Sequence, residues 1–219
     1  MIAEAVNYCE IVAKLPASSE IVFHDVAWEE YEELLEQVGE ASGLRISYNN
    51  GTLKVMSLSV KHEIYARFFE RLMALIDFRL GIHILSIGSA TMRKRKEAKG
   101  NEADAGFYIQ SAELIGDPFD LDFAVDLPPD VVVEVDVHHR STNSDPIYAA
   151  LGVPEIWRYD ERKLTILHLQ HDEYVQAETS QSIPMLTATI LTECLLRLRQ
   201  DGDRSAIRAF DEWLQTLPQ

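Results

Sequence analysis

The chain has 219 residues, 47% hydrophobic and 26% charged, which suits one soluble globular domain with appendages, or at most two small ones. A formal net charge of −16 counts against nucleic acid as a partner, because an acidic surface repels a polyanion at long range. Cys9 and Cys194 alone exclude a disulfide framework or zinc site and fit a reducing cytoplasm, and no apolar run reaches the ~18 residues of a membrane span.

Residues 1–20 carry no clear periodicity and read as a loose or docking arm; their start does not read as a signal peptide. Trp28–Val38 has apolar residues at helical spacing, with Asp25 as the expected N-cap and Gly39 and Gly43 bracketing its end. Segments 44–48 and 52–56 flank Asn49-Asn50-Gly51, residues that tolerate positive φ, and read as a β-hairpin. Val60–Leu80 is the longest helical pattern: Ile64, Phe68, Phe69, Leu72, Leu75, Ile76 and Leu80 trace one apolar face, and Gly81 ends it. Strands are expected near 82–87, 104–109 and 131–137, the last two separated by an Asp- and Pro-rich loop. A short helix at 147–151 stops at Gly152. Strands at 154–159, 163–169 and 173–176 follow, then two helices at 192–198 and 205–217 within a C-terminal helical segment, 189–219. This order predicts an α/β fold with a mixed sheet flanked by helices.

The acids carry the chemistry. Pro129-Asp130-Val131-Val132-Val133-Glu134-Val135-Asp136 is an apolar run opened by one acid and closed by two at alternate positions. Residues i and i+2 of a strand share a face, so Glu134 and Asp136 project side by side. Burying acids is costly unless they are paired or bind a cation. Asp104 is a second acid in an apolar setting upstream. Two acid-bearing strands in one sheet can aim Asp104 and Glu134 at one magnesium or manganese ion, which takes few protein oxygens and completes its shell with water or phosphate. Such an ion polarises a phosphate and acidifies water, the requirements of phosphodiester hydrolysis. The competing reading leaves each acid solvated at a strand end.

Four other features are weighed against their structural readings. The basic cluster Arg93-Lys94-Arg95-Lys96-Glu97-Ala98-Lys99 reads as a solvated turn or as a phosphate-contacting loop. His62 and Glu63 open the long helix, where Glu63 complements the helix dipole. His138 and His139 point to opposite faces if extended, so they do not share an ion. Trp157, Tyr159, Phe107 and Phe123 read as core or interface rather than base-stacking residues, since no basic interleaving surrounds them.

Trp28-x-x-Tyr31-x-x-Leu34-Leu35, Gly51-Thr52-Leu53-Lys54-Val55-Met56, His62-Glu63, Asp104, Asp130-Val131-Val132-Val133-Glu134-Val135 and Gly152-Val153-Pro154-Glu155-Ile156-Trp157 occur in this order. Together they resemble the Uma-type restriction-endonuclease family of the PD-(D/E)XK nuclease superfamily. The resemblance covers residues 22–176, the core of a single nuclease-like domain spanning 1–219. It implies a restriction-endonuclease-like fold, a central mixed β-sheet flanked by helices with a metal site at the open end of the middle strands. It also implies Mg2+- or Mn2+-dependent cleavage of DNA, with Asp104 and Glu134 as the two motif acids and metal ligands. Glu63 is then a further ligand brought in by the long helix. Asp136 stands where the pattern places a water-activating lysine, and Ser144 stands at the alternative lysine position four residues before Tyr148. A carboxylate cannot stabilise hydroxide as an ammonium can, although it can ligate a second metal or accept a proton. Arg140 is the nearest downstream cation; it stays protonated but can stabilise phosphate charge, so Asp136 and Arg140 complete the candidate catalytic set.

Three functions therefore compete: a metal-dependent DNA endonuclease, expected as a homodimer that pairs two sites across a twofold axis; a catalytically impaired nuclease-fold protein that serves as a binding or scaffold module, favoured by the missing lysine and the net charge; and a hydrolase of a smaller phosphorylated substrate.

Overall fold

The computed structural model describes residues 7–39, 43–137 and 141–217. In chain order it runs α1 (Tyr8–Val12), β1 (Glu20–Phe23), α2 (Trp28–Val38), β2 (Leu44–Asn49), β3 (Thr52–Ser57) and α3 (Val60–Leu80). Next come β4 (Leu85–Gly88), β5 (Thr91–Lys94), β6 (Lys99–Glu102), β7 (Ala105–Tyr108), β8 (Val131–Val135) and α4 (Asp145–Leu151). The chain closes with β9 (Glu155–Tyr159), β10 (Leu164–Gln170), β11 (Glu173–Ala177), α5 (Ala188–Asp201) and α6 (Asp203–Leu214).

The expected mixed sheet is six-stranded, in the order β11-β10-β9-β8-β7-β4, with β8 and β9 parallel and the other pairs antiparallel. A second sheet, β1-β3-β2-β6-β5, is antiparallel throughout. Every residue of β8 is buried, as its continuous apolar run requires of a central strand. Alternation sorts its side chains: Val131, Val133 and Val135 enter a core with α3, α5 and α6, and Val132 enters another with α4. The second sheet buries Ile46, Tyr48, Leu53 and Val55 against α2.

Local chemistry explains the boundaries. Ser59 caps α3 by accepting from the His62 amide at 3.2 Å, and Gly81 ends it in the left-handed region at φ 63°. The two last helices start earlier than their apolar spacing suggests; for α5 the cause is Thr187, which caps it through the Ile190 amide at 3.1 Å. Among the described residues no helix is long and apolar enough to cross a membrane.

One open reading resolves and two expectations change. The N-terminal arm is docked: Asn7 caps α1, Val12 is buried, and Tyr8 meets Phe23 edge-on at 5.0 Å. The N-cap of α2 is Ala27, whose amide donates to the Glu30 carboxylate at 2.7 Å, while Asp25 sits two residues before it at φ 57°. The basic cluster is a β-hairpin, β5–β6, closed by a 3-10 turn with Ala98 at φ 48°. Three of its cations have protein partners: Arg95 pairs with Glu29 and Glu32, Lys94 donates to Leu151 O at 3.0 Å, and Lys99 donates to the Asn49 side chain.

Candidate active-site cleft

The chain steps from one sheet to the other between β6 and β7, across Ala103 and Asp104. The Asp104 amide donates to Val133 O at 3.0 Å and Ala105 pairs with Val133, which sets Asp104 opposite Glu134 on the neighbouring strand. Both are buried, at 2% and 8% exposure. Across from them, β2 and β3 turn Arg45, Ser47, Lys54 and Met56 away from the α2 core, since these alternate with the buried residues of each strand. The first turn of α3 adds His62. A cleft lies between the two walls and narrows where Arg45 and His62 approach Asp104.

Asp104 is held on several sides. Its carboxylate accepts from the Val135 amide at 2.7 Å and from Arg45 Nε at 3.1 Å. His62 Nε2 lies 2.9 Å from Asp104 Oδ2, out of line for a hydrogen bond. Glu134 accepts from the Tyr148 hydroxyl and, at 3.4 Å, from the Asn101 amide, which also donates to the Tyr148 oxygen at 2.6 Å. Burial pushes the Glu134 carboxyl well above the usual carboxylate range, and the charge of Asp104 pushes it further, against the Tyr148 bond and Arg158. Asp136 lies just past β8, accepts from the Ser141 amide at 2.9 Å and has Arg158 Nε at 3.9 Å. Burial raises its carboxyl as well, against the Ser141 bonds and Arg158. Glu102 is raised by burial, although Thr91 and the Ile46 amide donate to it at 2.8 and 3.1 Å.

The structure thus brings Asp104, Glu134 and Asp136 to one wall, with Ser144 at its edge. Glu63 is not among the residues that line the cleft; it is 37% exposed and pairs with Arg45 Nη2 at 3.6 Å and with Arg67 at 3.5 Å. Arg140, with His138 and His139, lies outside the described residues. Among those described, no three His, Cys, Asp or Glu side chains form a metal cage. The facing pair Asp104 and Glu134 fits a hard cation that takes two carboxylates and fills its shell with water, since a cation relieves the like-charge repulsion recorded in the raised Glu134 carboxyl.

Arg45, His62, Asn101, Tyr148 and Arg158 were not singled out by sequence as site residues. Arg45 and Lys54 had a faint signal: both fall on the polar phase of hairpin strands whose other phase is apolar. His62 stood in a recognised motif, beside the acid that drew attention.

The comparison with curated proteins gives no match. A family model described as "Putative restriction endonuclease" matches residues 28–199, a span that holds both walls of the cleft and most of the chain. The chain belongs to this family, Uma2.

Proposed function

We propose that the protein is a metal-dependent endonuclease that hydrolyses DNA phosphodiester bonds. One observation supports this above others: Asp104 and Glu134 are buried opposite each other in a cleft, with the second carboxyl pushed up by burial and by the charge of the first. Asp104 and Glu134 would hold Mg2+ or Mn2+, which when bound supplies a polarised phosphate and an acidified water. The protein's own groups prepare that chemistry. Tyr148 and Asn101 orient Glu134, while Arg45 and the Val135 amide orient Asp104, so both carboxylates are fixed before substrate enters. Asp136, with its carboxyl raised by burial, is placed to accept a proton from water. Arg140 joins the set as a stabiliser of phosphate charge. Two copies related by a twofold axis would cut both strands, and sedimentation at assay concentrations tests that dimer.

Purified wild type and an Asp104→Ala/Glu134→Ala variant, incubated with supercoiled and single-stranded DNA, test the reading. Wild type is expected to cleave with magnesium or manganese and to stop with chelator, and the folded variant is expected to be inactive. Cleavage retained by the variant sinks the assignment. A second reading, a binding module on a nuclease fold, draws on Asp136 at the position where a cation is expected and on the Asp104 oxygens already engaged by Arg45 and Val135. It gains if wild type binds metal and hydrolyses nothing.

A further inference from the structure

The two walls of the cleft are chemically opposite. One carries Asp104, Glu134 and Asp136, the other carries Arg45 from β2 and Lys54 from β3, and His62 reaches in from α3, which packs on β8. Arg45 Nη2 and both ring nitrogens of His62 are buried without a hydrogen-bond partner among the described residues. The nearest groups do not satisfy them: Glu63 stands 3.6 Å from Arg45 Nη2, and Asp104 meets His62 out of line. Buried donors left unpaired are rare because water has been removed and nothing replaces it. Arg45 Nη2 and whichever His62 nitrogen carries the proton mark a place where an acceptor belongs.

Lys54 extends the same wall. Its ammonium gives one of three donors to Glu20 at 2.8 Å, and its side chain is 23% exposed, so it is open to a ligand from solvent. The N-terminus of α3, 21 residues long, opens beside His62, where a smaller cavity lined by Ser57, Ser59 and His62 adjoins the cleft. The positive end of a helix dipole favours an anion there.

We infer that Arg45, Lys54 and His62 form a phosphate subsite facing the carboxylate wall. The inference rests on the endonuclease reading for the identity of the phosphate, a DNA backbone phosphodiester. The shared chemistry is a phosphate oxyanion that accepts from the guanidinium, the imidazole and the ammonium. Charge-assisted bonds of this kind give a site its grip on a planar or tetrahedral anion. A subsite of this kind also accounts for how a chain of net charge −16 would take a polyanion: contact is local, on one wall, rather than through a basic surface.

The test is a binding titration of the full chain, read by NMR without any cleavage. The probes are a thymidine dinucleotide joined by one phosphodiester, its uncharged methylphosphonate counterpart, and inorganic phosphate. Each is titrated in chelator and in calcium, which takes the same oxygen ligands as magnesium and offsets the facing carboxylates. The phosphodiester is expected to bind, and the methylphosphonate to bind about tenfold more weakly, the worth of one charge-assisted hydrogen bond. Lys54→Gln and Arg45→Lys are each expected to weaken phosphodiester binding by a similar factor at an unchanged melting temperature. Arg45 also orients Asp104, so Lys54→Gln, at a part-exposed position, decides the matter if the other variant is unstable. Inorganic phosphate bound with the same sensitivity to the variants supports the subsite and names the free anion as a ligand. Equal affinity for charged and uncharged dinucleotides, unchanged affinity in folded variants, or no binding in either condition overturns it. An active nuclease whose variants bind normally loses the subsite alone, whereas a protein that cleaves nothing but loses phosphate binding in Lys54→Gln keeps it.

Discussion

Glu134 shows how one residue carries opposing demands. Its carboxyl is buried and stands opposite Asp104, and both effects raise it well above the ordinary range. A carboxyl raised in the folded state binds more protons there than in the unfolded chain, so its contribution to stability falls as pH rises. That contribution is intact below the unfolded value of about 4.3 and is lost as pH climbs through the folded one. Glu134→Gln, which keeps an acceptor for Tyr148, is therefore expected to raise Tm at pH 8 more than at pH 5. Each kcal/mol corresponds to about 2–4 °C for a chain of this size. An equal gain at both pH values would contradict the account. Magnesium, binding only the folded state, is expected to raise the wild-type Tm and to lose most of that effect in Glu134→Gln, by calorimetry with and without chelator. The acids of the site were legible because a carboxylate inside an apolar strand is anomalous on its face. Arg45 was not, because its partner Asp104 lies 59 positions away and only the meeting of two sheets brings them together. The family resemblance drew attention to Glu63, while the phase of α3 turns its neighbour His62 inward.

At the level of elements, the strands that build the walls tolerate little change. Gly100 lies on β6 against the ring of buried Tyr31, where an added Cβ would come within 2.8 Å of Cζ. Gly100→Ala is expected to destabilise by about 1–3 kcal/mol through overpacking, measured by urea denaturation. Glu155 opens β9 fully buried, and accepts from Trp157 Nε1 at 2.5 Å, Ser180 Oγ at 3.2 Å and the amides of Gln181 and Ser182 at 3.0 and 3.2 Å. Glu155→Ala strands these donors and is expected to cost about 3–5 kcal/mol, with Glu155→Gln milder; near-equal effects would show that packing, not the bonds, matters. The β2–β3 hairpin and α3 could be read from sequence because their turn and caps are local. The β5–β6 hairpin was hidden since Arg95 and Lys99 look solvated until Glu29, Glu32 and Asn49 arrive from distant segments.

For the whole molecule, the net charge governs approach and the cleft governs contact. Raising ionic strength from about 0.01 to 0.15 M shortens the reach of charge from roughly 30 to 8 Å. Association with a DNA oligonucleotide, followed by stopped flow, is expected to accelerate over that range, the reverse of a basic DNA-binding protein. A steady slowing would mean that the cationic wall dominates even at a distance. The two-sheet architecture was only half visible in advance, because strand order does not say where one sheet ends and another begins. The junction itself has a further consequence. With β6 running into β7 across two residues, the walls are joined covalently at Ala103 and Asp104, as two blades are joined at a rivet. Breathing of the sheets would then widen the mouth while the floor keeps its spacing, and the amides of Asp104 and Val135, which tie Asp104 to β8 at that floor, would rank among the slowest to exchange with deuterium.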